Sequence, residues 1–463
     1  MRRIVLVAAL LVVMAEAAAA ALELRSEQSL TSRLRELVVY SPALERETSV
    51  RVLLPEDYDP EGEPLPVLLL LHGGWGSFVD WTLPDVGEAE AITAGLPLIV
   101  VMPDGGQGGW YSDWKNATTQ GAQRWETYHL RELLPFVHAH YDARADRAGN
   151  GVAGLSMGGF GAVHYAARRP DLFGFVAAFS GAVDNQHPDI AFVMNASPLI
   201  MGGDPGDIWG DPVLEEARWR ANNPIDLAAN LRHVAVELRT GDGDPDGPSP
   251  DVSEVACAAA NATLHERLTG LGIAHVHFVY PGGTHTWPYW RDGLAASLPG
   301  FLAVAAARAP APVAVDYRSL EPSFSAWGFD VALDRPVYET AILSVRRNRF
   351  SLTGTGAATV TTPPRFAPDE EVELVVESSL AGPQSLVLTA GPDGRLTVPL
   401  DLGPASTVDE YPEPPTGPPA LVTAQVRFVP EPARAATAAA AAAALALLAR
   451  RRSRRASPAA DRP

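Results

Sequence analysis

Gly151-Val152-Ala153-Gly154-Leu155-Ser156-Met157-Gly158-Gly159-Phe160 is the stretch on which the reading of this chain turns. Its first half is a short apolar run, as in a strand buried on both faces. Its second half opens a stretch of helical character that continues to Arg168. Between them, Gly154-x-Ser156-x-Gly158 describes a sharp turn that lifts a serine hydroxyl above the end of a sheet. The N-terminus of the following helix favours developing negative charge there. Gly-x-Ser-x-Gly alone arises by chance, whereas the strand–turn–helix context is much rarer and marks Ser156 as a nucleophile.

Outward from this turn, the pattern of alternation continues. Strand-like segments are expected at Glu36–Tyr40, Ser49–Leu54, Val67–Leu71, Leu98–Met102, Gly151–Leu155, Phe175–Phe179, Val234–Leu238 and His275–Tyr280. Helical stretches are expected at Trp125–His140, Gly158–Arg168, Val252–Leu268 and Tyr289–Ala307. Such alternation predicts an α/β fold with a mostly parallel sheet covered by helices. The texture changes after Arg308. Ala309-Pro310-Ala311-Pro312 reads as a linker, and residues 313–428 show short alternating segments separated by Gly and Pro. That pattern predicts an accessory β-sandwich-like domain.

The 463 residues carry a net charge of −19, which disfavours a nucleic-acid binder. Both ends are basic. Setting aside +1 on residues 1–21 and +6 on residues 433–463 leaves −26 on the body between them. Residues 1–21 read as a signal peptide: Arg2 and Arg3, an apolar run from Ile4 to Ala15, then small residues suited to cleavage. Export to the periplasm, outer envelope or exterior is the expectation. A lone cysteine, Cys257, permits no internal disulfide.

A serine nucleophile needs a base, an acid and two oxyanion donors. His285, in Gly282-Gly283-Thr284-His285-Thr286-Trp287 just after the last expected strand, is the candidate base. The order Ser…acid…His is that of α/β-hydrolases. Asp242, Asp244, Asp246, Asp251 and Glu254 all lie where the acid belongs, and charge alone does not choose among them. One oxyanion N–H is expected from Met157. The other is expected from His72-Gly73-Gly74-Trp75-Gly76 after Val67–Leu71, with Gly74 preferred and Gly73 next. His275 and His277 share a strand face, but no third metal ligand suggests itself, and the chemistry requires neither metal nor organic cofactor.

Further segments carry a resemblance. Met102-Pro103-Asp104-Gly105-Gly106-Gln107, Trp110-Tyr111-Ser112-Asp113-Trp114, Arg124-Trp125-Glu126-Thr127, the serine turn, and Gly283-Thr284-His285-Thr286-Trp287-Pro288-Tyr289-Trp290 occur in order. Together they resemble the esterase family of α/β-hydrolases that contains S-formylglutathione hydrolases, feruloyl esterases and secreted mycolyltransferases. The likeness covers roughly residues 45–305. It implies an α/β-hydrolase fold and a helix-borne catalytic glutamate, which falls on Glu254, leaving Asp251 and Asp242 as alternatives. It also implies an ester substrate, small or glycan-borne. His72 is a candidate to line its site, and the aromatics Trp110, Tyr111, Trp114 and Trp287 fit either a lining role or simple loop packing. Mycolyltransferases carry an acceptor-contacting Asp where His72 stands and a Ser where Gly158 stands, so hydrolysis is expected over acyl transfer to a sugar.

Val429-Pro430-Glu431-Pro432, the Ala/Leu run Ala435–Ala449 and the Arg cluster Arg450–Arg455 resemble a PEP-CTERM sorting tail. This implies transient membrane contact and exosortase processing. The expected organisation is therefore signal peptide 1–21, esterase domain 22–308, linker 309–312, β-rich domain 313–428 and tail 429–463. A rival of another class is a non-catalytic protein that binds envelope polysaccharide.

Overall fold

Four apolar runs lie side by side at the heart of the computed structural model, which describes residues 21–409 and 421–429. They belong to a nine-stranded sheet: β1 (Glu23–Ser29), β2 (Leu34–Ser41), β3 (Arg46–Leu53), β4 (Val67–Leu71), β5 (Ile99–Pro103), β6 (Asn150–Leu155), β7 (Phe175–Phe179), β8 (Ala235–Gly241) and β9 (His275–Tyr280). The spatial order is β1-β2-β3-β5-β4-β6-β7-β8-β9. β1, β2, β3 and β5 pair antiparallel in succession, and every pair from β5 to β9 is parallel. Strands β4 to β7 are buried at every residue, because helices cover both faces.

Three long helices make those layers: α1 (Met157–Arg168), α2 (Val252–Gly270) and α3 (Trp287–Ala307). Val67, Leu69 and Leu71 of β4 share a core with α1 and α2. Leu68 and Leu70 point the other way, into a core with Trp290, Leu294, Leu298 and Phe301 of α3. The period of two in the strand thus feeds two cores at once. β4 and β6 are neighbours whose following segments run in opposite directions across the sheet. This is the switch point at which open α/β sheets leave a crevice beyond the strand ends. Ser156 follows β6 there, and Gly73 and Gly74 follow β4.

Some expectations need adjustment. β1 was not anticipated: it is exposed along its whole length and carries Glu23, Arg25 and Glu27, so no apolar face announces it. The expected helix Trp125–His140 contains a π-helical middle, Tyr128–Leu133, just before Pro135, which has no N–H to donate back along the helix. Residues 1–20 of the expected signal peptide and residues 430–463 of the expected sorting tail lie outside the described residues.

After α3, the described residues between Val315 and Phe428 contain ten strands, in antiparallel sheets of six and four around a shared core. This sandwich is latched to the far end of α1. Asn230 donates to Ala167 O and Arg318 O, at 3.0 and 2.9 Å, and accepts from Arg318 N at 2.8 Å. Tyr317 Oη donates to Arg168 O, and the Arg168 guanidinium joins Glu126 to Glu321. Twelve helical residues, about 18 Å at 1.5 Å each, separate this latch from Ser156.

The first turn of α1 presses on the ends of β4 and β6. A Cβ on Gly158 would lie 2.5 Å from His72 O and 2.6 Å from Leu71 O, both backbone atoms. Gly158→Ala is therefore expected to destabilise the fold by about 1–3 kcal/mol, as overpacking does. Urea unfolding would show a lower midpoint with little change in slope.

Candidate active site

Ser156 occupies a backbone conformation that side chains rarely adopt, φ 51° and ψ −116°. Such strain costs about 1–3 kcal/mol and persists only where the surroundings enforce it. Here they do. Gly154 has no room for a side chain against the Gly158 carbonyl, Ser156 N donates to Phe179 O of β7, and Phe160 N and Ala182 N donate to Ser156 O. The turn exposes Oγ at the crevice.

The His285 ring meets that hydroxyl, with Nε2 2.9 Å from Ser156 Oγ. Its Nδ1 lies 2.6 Å from Glu254 Oε2. Glu254, in the first turn of α2, has no exposed surface. Its Oε1 accepts from Ser180 Oγ at 2.8 Å, Thr240 Oγ1 at 2.9 Å and the Gly241 N–H. Ser180 Oγ in turn accepts from Trp290 Nε1 at 3.0 Å, and the Trp290 ring stands edge-on to the His285 ring. A carboxylate oxygen surrounded by donors leaves Oε2 to accept Nδ1–H. That fixes the imidazole tautomer with its lone pair on Nε2, facing the serine. The arrangement can take a proton from Ser156 and hold the resulting positive charge.

Ser180 and Thr240 were not singled out from sequence. Both are small hydroxyl residues at the C-terminal ends of parallel strands, Ser180 just after β7 beside the nucleophile strand and Thr240 on β8 one strand further, and that position was the available signal. Of the alternative acids, neither reaches the imidazole. Asp242 accepts from Gly282 N and Asp244 N, and Asp251 accepts from backbone N–H groups, that of His285 among them. Both are corrected as partners of the ring, because the imidazole Nδ1 is taken by Glu254 while Asp242 Oδ1 and both oxygens of Asp251 accept from the main chain.

Met157 opens α1, so its N–H is one of the first-turn donors without an intrahelical acceptor. On the other side, a Cβ on Gly73 would lie 3.5 Å from Ser156 Cβ, which brings the glycine loop against the nucleophile. Trp75 N donates to Gln107 O at 2.7 Å. Gly74 lies between these two anchors.

His72 is not a lining residue. It is 1% exposed, its Nε2 accepts from Gly105 N at 2.9 Å, and its Nδ1 donates to Gly73 O at 2.7 Å. Drawing the Gly73 carbonyl inward turns the N–H of the same peptide, that of Gly74, outward, because the two are anti across a trans bond. Trp110 and Tyr111 are also corrected. Tyr111 is fully buried and donates to His72 O, and Trp110 is buried and donates to Ser197 Oγ. Tyr111 thus supports the loop from beneath, and Trp110 packs edge-on against Phe160. Trp287 is half-buried between Trp81 and Trp290, so it borders the His285 side of the site. Gly158 likewise has no open face, which leaves no place for the serine of the mycolyltransferases without backbone movement.

Other groups belong to packing. Burial, then the nearby Glu254 and Asp251 carboxylates, push the Cys257 thiol far above its ordinary range. His265 Nδ1 lies 2.7 Å from His275 Nε2 and its ring stacks on His277. Among the described residues no group of three or more His, Cys, Asp or Glu is placed to hold a metal ion.

Residues 41–301 match a family model described as "Putative esterase". Esterase Rv1288 of Mycobacterium tuberculosis (strain H37Rv) is 37% identical over 271 residues, covering 56% of this chain and 58% of that protein. The chain thus spans little more than half the length of that relative. Diacylglycerol acyltransferase/mycolyltransferase Ag85B of Mycolicibacterium smegmatis is 29% identical over 278 residues, covering 57% of this chain and 82% of that protein. Among solved structures, Mycobacterium tuberculosis MPT51 superposes with a TM-score of 0.49 at 23% identity, covering 60% of this chain and 99% of that one. The family match stops short of the sandwich and takes in the serine turn, Glu254 and His285 together, on an α/β-hydrolase sheet: the chain belongs to this esterase family.

Proposed function

We propose that the protein is a serine esterase that hydrolyses carboxylic esters through an acyl-enzyme. The observation that carries the reading is the continuous relay Ser156 Oγ–His285 Nε2 at 2.9 Å and His285 Nδ1–Glu254 Oε2 at 2.6 Å, set on a strained turn.

In this reading Ser156 Oγ attacks the ester carbonyl while its proton passes to His285 Nε2. The carbonyl oxygen becomes an oxyanion held by the N–H groups of Met157 and Gly74, and Glu254 stabilises the imidazolium. Collapse breaks the bond to the alcohol, which leaves with the proton from Nε2. Water then attacks the acyl-enzyme as its proton passes to His285 Nε2; the acyl–Oγ bond breaks, Ser156 Oγ takes that proton back, and the acid is released. Trp75, beside Gly74, and Val252, beside Asp251, are 67% and 77% exposed, which suits an ester with an apolar acyl or aryl portion near this rim.

Hydrolysis is preferred to transfer. The position at which mycolyltransferases present an acceptor-contacting Asp holds a buried His72 committed to the backbone. Export is part of the proposal and rests on the charged and apolar pattern of residues 1–21. Transient tethering and processing rest on Pro430-Glu431-Pro432 and the segment that follows.

Ser156→Ala should reduce turnover of a short-chain chromogenic ester by about 10⁴–10⁶-fold with an unchanged circular dichroism spectrum. Near-normal turnover by the folded variant would end the reading. Glu254→Gln should lower kcat by about 10⁴-fold, as loss of a triad acid does, and Asp242→Asn far less. Equal losses would move the acid away from α2.

His72→Phe keeps an aromatic ring but removes both backbone hydrogen bonds. It should lower kcat by about 10–10²-fold, somewhat less than outright loss of an oxyanion donor. A trehalose acceptor should not outcompete water in product analysis. Mass spectrometry of the native protein should find a mature N-terminus near Ala21 and a C-terminus near Pro430–Pro432; both termini intact would contradict export and processing.

A further inference from the structure

The acid and the base of the relay ride on different elements. Glu254 sits in the first turn of α2, and His285 sits in the connection between β9 and α3. A contact of 2.6 Å between their side chains requires the two backbones to keep a fixed separation. The loop after β8 and the loop after β9 are stitched together at three places. Gly243 N donates to Gly283 O at 2.8 Å, Gly282 N donates to Asp242 Oδ1 at 2.9 Å, and His285 N donates to Asp251 Oδ2 at 2.7 Å.

The third differs in kind. The other oxygen of the same carboxylate, Asp251 Oδ1, accepts from Ser253 N and Glu254 N, each at 3.2 Å, and so caps α2. Asp251 itself is held by its own N–H, which donates to Gly243 O at 2.9 Å. One side chain therefore joins the backbone N–H of the base directly to the backbone N–H of the acid.

We propose that Asp251 is a positioning residue for the esterase reaction, a two-oxygen clamp that sets the Glu254–His285 distance by tying their main chains together. The proposal rests on the relay reading given above. An N-cap needs only one acceptor, and Ser, Thr or Asn provides it as well as Asp. The second acceptor, aimed away from the helix at His285 N, exceeds what capping requires. Burial pulls the Asp251 carboxyl upward, but the N–H groups of His285 and Glu254 and the nearby imidazole hold it below the ordinary range. Both oxygens therefore remain acceptors. Asparagine cannot replace it, because its amide would turn an NH₂ toward either the His285 N–H or the N–H groups of Ser253 and Glu254.

Asp251→Ser separates the two roles: it keeps a good helix cap and cannot reach His285. The clamp predicts a melting temperature close to that of the parent protein and a kcat lower by about 10–10²-fold, as small misplacements of catalytic groups produce. KM should stay within about twofold. The low-field proton resonance of His285 Nδ1–H, bonded to Glu254, should shift or broaden. Asp251→Asn, nearly isosteric, should lose kcat in the same way and serves if the serine variant folds poorly. A folded Asp251→Ser protein with parental kcat and an unmoved Nδ1 resonance would reduce Asp251 to a helix cap and overturn the proposal. Ser156→Ala is assayed alongside. If it is inactive while Asp251→Ser is unimpaired, the clamp alone fails; if it retains turnover, the relay on which the clamp rests fails.

Discussion

Everything at the site depends on main chain touching main chain where α1 starts. The peptide at Gly158 lies against the carbonyls of Leu71 and His72, and Gly154 lies under Gly158, so β4, β6 and α1 converge largely through backbone atoms. This close approach holds Ser156 in its unfavourable conformation and sets the glycine loop after β4 beside it. A dense, immobile contact of backbone atoms can store such strain, because no side chain is able to rotate and relieve it.

The second constraint is the buried carboxylate of Glu254. A charge placed where no water reaches costs several kcal/mol unless donors replace its hydration. Ser180, Thr240 and Gly241 do so at one oxygen and His285 at the other. The donors come from the ends of β7 and β8, so the sheet that carries the nucleophile also solvates the acid. The accessory sandwich contributes none of these groups. Its latch lies at the opposite end of α1, around Asn230, Arg168 and Glu321.

Much of this was legible in the sequence, and the exceptions have physical reasons. Buried strands such as Val67–Leu71 and Phe175–Phe179 were readable because continuous apolar runs have few other uses. The serine turn was readable because glycines at fixed offsets follow such a run. β1 was not, since a solvated edge strand needs no apolar face. The acid could not be chosen from charge, because Asp242, Asp251 and Glu254 differ only in which donors they meet, and that is set by how two loops fold together. Family likeness, not composition, selected Glu254. His72 and Tyr111 misled for the converse reason. Polar and aromatic residues beside glycines look like site residues, but here their polar atoms are spent on the backbone behind the loop.

The relay also bears on how the molecule fails when heated. Many enzymes lose function well before they melt, because their working groups sit on loops that open independently of the core. Here the glycine loop is pinned through His72 and Gln107, the imidazole loop through Asp242, Gly243 and Asp251, and the nucleophile through β7. With the site tied to the sheet in this way, inactivation is expected to follow cooperative unfolding of the large sheet, and amide hydrogens around Ser156 should exchange only as the sheet itself opens.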